Sequence, residues 1–193
     1  MDEFKLHSVN WQDGMLLTMG HLRAQEGYFE ELVRWHAFGA NDIYGLAKKD
    51  SAQPPLKIDA TMSGNRLRVE VKRCQAVLPC GAAVEFSEST VGGGVLKAEA
   101  DTTKTRVPVY LGIDPGMKRQ VGNPDPSEEL PRLPYEIPAY RITLVDPPNL
   151  PESMYVQIAV LAVNGSEVSR ADDYFPPCVT VDADDRLASI SVD

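Results

Sequence analysis

The chain of 193 residues carries 19 Lys+Arg against 28 Asp+Glu, a formal net charge of −9, and 43% of its residues are hydrophobic. That length supports one domain, or two small ones packed together, around a real core, and the acidity repels a phosphate backbone, which speaks against nucleic acid as a partner. No apolar run approaches the roughly 18 residues of a membrane span, and Met1-Asp2-Glu3-Phe4-Lys5 lacks the basic-then-apolar order of a secretory signal, so a cytoplasmic protein without direct membrane insertion is expected.

The first notable stretch is Trp11-Gln12-Asp13-Gly14-Met15-Leu16-Leu17-Thr18. Its Trp11, Met15, Leu16 and Leu17 form a dense apolar cluster. Such a cluster either plugs the domain's own core or supplies an aromatic anchor with aliphatic flanks to a subunit contact. An amphipathic helix follows from His21 to Trp35, with Thr18 as N-cap and Gly39 as stop. Leu22, Phe29 and Val33 make one row, and Gln25, Tyr28, Leu32 and Trp35 the next; Glu26, Glu30, Glu31 and Arg34 take the other side.

Beyond the helix the period becomes two. Leu56–Ala60 and Leu67–Lys72 alternate apolar and polar residues around Met62-Ser63-Gly64-Asn65, which reads as a hairpin. Further strands are expected at Gln75–Leu78, Ala82–Phe86, Val95–Glu99, Arg106–Ile113, Tyr140–Val145, Met154–Val163 and Val179–Asp182. The turns between them are signalled by Pro79-Cys80-Gly81, Gly92-Gly93-Gly94, Asp114-Pro115-Gly116 and Asn164-Gly165. Many short strands with one long helix point to a mainly β chain, a sandwich or a barrel, rather than an α/β sheet. The run from Pro124 to Pro138 holds five prolines, too many for a central strand. It reads as a stiff extended loop that either wraps a sheet edge or reaches a partner, with Leu130, Leu133, Tyr135 and Ile137 as its apolar groups.

Little in the sequence suggests catalysis, and no cofactor or metal is expected. His7, His21 and His36 stand in no H-E-x-x-H spacing, and there is no G-x-S-x-G elbow. His21 reads as a structural histidine bonded to backbone near the helix cap. Gly92-Gly93-Gly94 lacks the Gly-Lys-Ser/Thr of a phosphate loop. Asp182-Ala183-Asp184-Asp185 lacks the glycine and the closing glutamate of a calcium loop and reads as a solvated turn. Inspection alone leaves a glycosidase-type carboxylate pair open. Cys74, Cys80 and Cys178 are odd in number with no C-x-x-C pair, so reduced, partly buried thiols are expected.

The opening run, then His21, then a helix with Gln25 and Tyr28, resembles the N-terminal signature of the TssK family, baseplate proteins of the bacterial type VI secretion system. Leu67 to Phe86 resembles that family's strand pair with an apolar-Pro-x-Gly turn, here Val77-Leu78-Pro79-Cys80-Gly81. Asp173-Tyr174-Phe175-Pro176-Pro177-Cys178-Val179 resembles its Phe/Tyr-x-Pro-Pro segment, and Val107-Pro108-Val109-Tyr110-Leu111 is a weaker match to a central strand. Met19-Gly20 stands where the family has proline-glutamine, and Leu22 where it has phenylalanine; glycine in place of proline should make the first helical turn less rigid. The resemblance covers the front part of the family, whose helical bundle and C-terminal domain lie outside this sequence.

The resemblance implies a β-sandwich like the shell or shoulder domain of phage receptor-binding proteins, with residues 1–40 packed on a β domain of residues 41–193. It implies a non-enzymatic adaptor that forms a homotrimer and attaches to the TssF–TssG wedge, reaching membrane-complex proteins only through the family's C-terminal part. The protein-interaction residues expected are Trp11, Met15, Leu16, Leu17, Leu130, Leu133, Tyr135 and Ile137. The rival readings are a phage or tail-like structural protein with the same shell, and a carbohydrate-binding sandwich, which asks for exposed aromatics on one sheet face.

Overall fold

A computed structural model describes residues 6–39, 43–49, 52–89, 94–124, 126, 127, 129, 130, 132–147 and 149–190. Gly92 and Gly93 lie outside them. Among the described residues the chain forms a helix, α1 (Met19–Gly39), nine strands and a short helix near the end, α2 (Asp185–Ile190). The strands form two antiparallel sheets of five and four members.

The first sheet is organised around one strand, β3 (Arg66–Val77). Along one side of it lie β2 (Leu56–Ser63) and then β1 (Gly45–Leu46); along the other lie β5 (Leu96–Asp101) and then β4 (Ala83–Ser87). The β2–β3 hairpin turns on Gly64-Asn65, where Gly64 takes φ +59° as a primed two-residue turn demands. The sequence pattern suggested two strands where β3 is one. Leu67, Val69 and Val71 point inward, and then Cys74 and Ala76 do. Lys57 pairs Arg73 while Ile58 pairs Val71, so Lys72 is an extra residue and the inward phase flips there.

The second sheet runs in the order β7 (Tyr135–Thr143), β6 (Arg106–Val121), β8 (Tyr155–Asn164), β9 (Glu167–Arg170). Two expectations change here. Asp114-Pro115-Gly116 does not end the strand: β6 continues through it to Val121, absorbing the extra residues as an irregularity between Ile113 and Lys118. The final part of the proline-rich run, Tyr135–Pro138, is not loop but the start of β7, paired with Val121 to Lys118. Because β7 is an edge strand, Pro138 has an outer side on which no ladder bond is owed.

Together the sheets enclose one core. Leu67, Val69 and Val71 of β3 and Val107, Val109 and Leu111 of β6 belong to a single buried cluster with Phe86, Ile142, Ile158 and Leu161. β5 lies along β7 and β2 along β9, so the sandwich closes at both margins. This is the mainly β sandwich with one N-terminal helix.

The C-terminal segment is fastened by charge rather than by a strand. Val181–Ala183 is a 3₁₀ turn, not the tail of a strand over Val179–Asp182; only Cys178 bridges Leu46. Asp184 is buried, which corrects its reading as part of a solvated turn. Its carboxylate accepts bonds from Arg170 (2.9 Å) and Arg186 (3.0 Å). Burial pushes its pKa up, but the bonds from Arg186 and Arg170 outweigh that and hold it at about 2. Arg186 also donates to the carbonyls of Ala171 and Tyr174 and lies 4.8 Å over the Phe175 ring. The thiols are free; burial pushes Cys74 up to about 12.

Candidate protein-interaction surface

The opening run is held to the start of α1 by the residues that carried the resemblance. Thr18 caps the helix: its hydroxyl and its carbonyl both accept the His21 N–H, at 3.4 and 3.1 Å. The Met15 N–H bonds back to the Gln12 carbonyl (3.2 Å), closing a turn over Asp13-Gly14. Trp11 then folds along the helix. Its indole N–H donates to Gln25 Oε1 (3.2 Å), and its ring meets His21 edge to face at 6.2 Å. The backbone bond expected of the His21 side chain is not seen: its ring Nδ1 is buried with no hydrogen-bond partner among the described residues, and it is the main-chain N–H that bonds Thr18.

This arrangement leaves the apolar side chains outside the core. Trp11 is 45% exposed, Leu16 81% and Leu17 65%, while Met15 is half-buried. The run therefore does not plug its own domain. The helix behaves in the same way. The periodicity correctly marks a helix, which extends to Met19 and to Gly39, but no described side chain on α1 is fully buried. The row Leu22, Phe29, Val33 is exposed and lines a groove of about 1310 Å³.

Across that groove stand Met117 of β6 and Leu133 and Tyr135 of the proline-rich run. Lys118 spans it, its ammonium 3.8 Å from Glu26 and 3.9 Å from Glu30. Of the expected contact residues, the fold thus sets Leu133 and Tyr135 opposite α1. Leu130 is 84% exposed away from the groove lining, and Ile137 is half-buried within β7. Leu22, Phe29, Val33, Met117 and Lys118 were not among the expected contact residues. The helical row was legible as one apolar face, but its periodicity does not say what covers it. Among the described residues, the large exposed aromatics are Trp11, Phe29, Trp35, Tyr135 and Phe175. They sit on the run, the helix, the start of β7 and the C-terminal segment, not on one sheet face as a sugar platform would need.

No protein-family model and no curated protein matches the sequence. Solved structures do. A crystal structure of TssK superposes with a TM-score of 0.63 at 16% identity over 96% of this chain. The chain has the fold of TssK. A type VI secretion baseplate complex gives 0.61 at 15% identity over 96% of the chain, and a TssK–TssF–TssG baseplate subcomplex gives 0.55 at 15% over 93%. The chain spans 45% of the TssK chain in the first of these and 64% of the matched chain in each of the other two. The TssK-like part includes both sheets, since the match covers nearly the whole sequence.

Proposed function

We propose that this chain is a non-enzymatic structural adaptor of a type VI secretion baseplate, working in the cytoplasm, and that it meets its neighbours through the opening run, α1 and the proline-rich run. The observation that carries the reading is the exposed row Leu22, Phe29, Val33 facing Met117, Leu133 and Tyr135 across the groove, with Leu16, Leu17 and Leu130 exposed as well. Contiguous apolar surface of this kind on a soluble domain marks a contact site, and the TssK-like fold supplies the class of neighbour. On this reading the chain assembles as a homotrimer and takes TssF–TssG-type wedge proteins as partners.

Co-purification with the TssF–TssG proteins of the same system tests it. Leu16→Ser with Leu17→Ser, and separately Leu133→Ser with Tyr135→Ser, should leave the melting temperature within about 2 °C of wild type, as surface substitutions do. Both should lose the wedge proteins. If either pair lowers stability substantially while the folded fraction still assembles, that segment is ordinary packing and not a contact.

A further inference from the structure

Among the described residues, two methionines stand open to solvent, and both line the same groove. Met19, at the start of α1, is 63% exposed, and Met117 of β6 is 61% exposed. They belong to elements far apart in the chain, and the fold brings them to one concavity. The other described methionines are half-buried. Met15 sits in the opening run, and Met62 and Met154 pack against the core cluster.

A thioether is oxidised through its sulfur lone pair and needs no prior loss of a proton, so access to the sulfur governs the reaction. A thiol must first ionise. The thiols of this chain are poorly placed for that. Cys74 is fully buried and Cys178 half-buried, and burial pushes their pKa values up to about 12 and about 11; Cys80 is half-buried in the turn before β4. A peroxide that reaches the folded chain therefore meets Met19 and Met117 first. Oxygen added there costs the fold little, because neither side chain belongs to the core cluster and the new acceptor stays in water. The same oxygen on Met62 or Met154 would press a polar group against the core.

We infer that Met19 and Met117 are a reversible modification site for oxidants of the peroxide class, and that their oxidation switches the groove from an apolar to a polar surface. At each residue the sulfur lone pair attacks one oxygen of hydrogen peroxide. An S–O bond forms, the O–O bond breaks, and the proton on the transferred oxygen passes to the departing hydroxide, which leaves as water. Sulfur is oxidised and the peroxide is reduced. The flexible apolar side chain becomes a polar sulfoxide on both walls, beside Leu22, Phe29 and Val33 of α1 and Leu133 and Tyr135 opposite. Methionine sulfoxide reductases reverse the step, one enzyme for each epimer; two thiols give up the electrons and close to a disulfide, and the oxygen leaves as water. The inference goes beyond the adaptor reading and does not depend on it, because it needs only the chain and the oxidant.

The test uses the full chain, hydrogen peroxide and the dye ANS, which reports exposed apolar surface. Peptide mass mapping during the reaction should show Met19 and Met117 gaining oxygen at least about tenfold faster than Met62 and Met154. The chain oxidised at those two residues should melt within about 2 °C of the reduced chain. It should bind at least about threefold less dye, and the two reductases should restore the binding. Met19→Leu with Met117→Leu, a swap of similar volume, should bind dye as the wild type does and keep it under peroxide. If Met62, Met154 or a cysteine is oxidised as fast as the groove pair, the inference is wrong. It is equally wrong if the reduced chain binds no dye, if dye binding survives oxidation of both residues, or if the reductases do not restore it. Loss of dye from the double-leucine chain under peroxide would also overturn it, since oxidation elsewhere would then be the cause.

Discussion

Asp184 gives the chain a measurable acid sensitivity. Its folded-state pKa, about 2, lies below the ordinary carboxylate value. Its contribution is complete above about pH 4 and is lost as the pH falls toward 2; a shift of this size is worth about 2 kcal/mol. Melting temperatures measured from pH 6 down to pH 2 should fall through that window, and Asp184→Asn should flatten the fall while lowering stability at neutral pH. Nothing near Asp184 in the sequence foretells this, because one of its partners, Arg170, belongs to the preceding strand and four neighbouring letters show charge without pairing. Trp11 makes the opposite prediction. A buried tryptophan cut to alanine costs about 3–5 kcal/mol, but Trp11 is half in solvent and its indole N–H bonds Gln25 of α1. Trp11→Ala should therefore shift the melting temperature by less than about 2 °C, seen by calorimetry, while loosening the opening run. The Trp11, His21 and Gln25 contacts were foreshadowed by the motif; that the set stays at the surface was not, since periodicity tells which residues share a face and not what covers it.

Among the elements, β1 is the shortest and the most tightly constrained. Gly45 takes φ +120°, and a Cβ there would sit 2.1 Å from the Pro177 carbonyl oxygen. The close approach lets the Leu46 N–H bond Pro177 (2.8 Å) and the Val179 N–H bond Leu46 (2.8 Å), docking the Phe-Pro-Pro segment on the first sheet. Gly45→Ala should cost about 3 kcal/mol or more, from backbone strain plus displacement of that segment; urea unfolding would measure it. A two-residue strand offers no period to read, so β1 escaped the sequence pattern, as did the four-residue β9. Strands with clean alternation, such as β2 and the first half of β3, were legible, although β2 runs on to Ser63 where the pattern ended it at Ala60 and set Met62-Ser63 in the turn. The losses came where phase breaks. The bulge at Lys72 split β3 on paper, and Asp114-Pro115-Gly116 marked a turn by local chemistry although pairing with β7 resumes beyond it. Pro138 argued against a strand correctly for a central position and wrongly for an edge.

At the scale of the molecule, the two sheets stand or fall together, because β3 and β6 contribute to one buried cluster. Leu111 is fully buried in it. Leu111→Ala should cost about 2–5 kcal/mol and still give a single transition, with fluorescence and circular dichroism coincident. Two resolved transitions would mean that the sheets unfold separately. The mainly β class was legible from strand number and turn spacing, which left sandwich or barrel open, and the resemblance implied the sandwich; the placing of α1 over an open groove was not legible, since it depends on surfaces far apart in the chain. The central place of β3 also bears on how the chain comes off the ribosome. All five strands of the first sheet end by Asp101, so that sheet can be complete when little more than half the chain has emerged. The second cannot close until β8 follows β6, with the proline-rich run between them. During that interval Leu67, Val69 and Val71 face water on a finished but uncovered sheet, which is the state most open to aggregation. Slowing synthesis after Asp101 would prolong it, so chaperone demand should peak while residues 102–155 are being made.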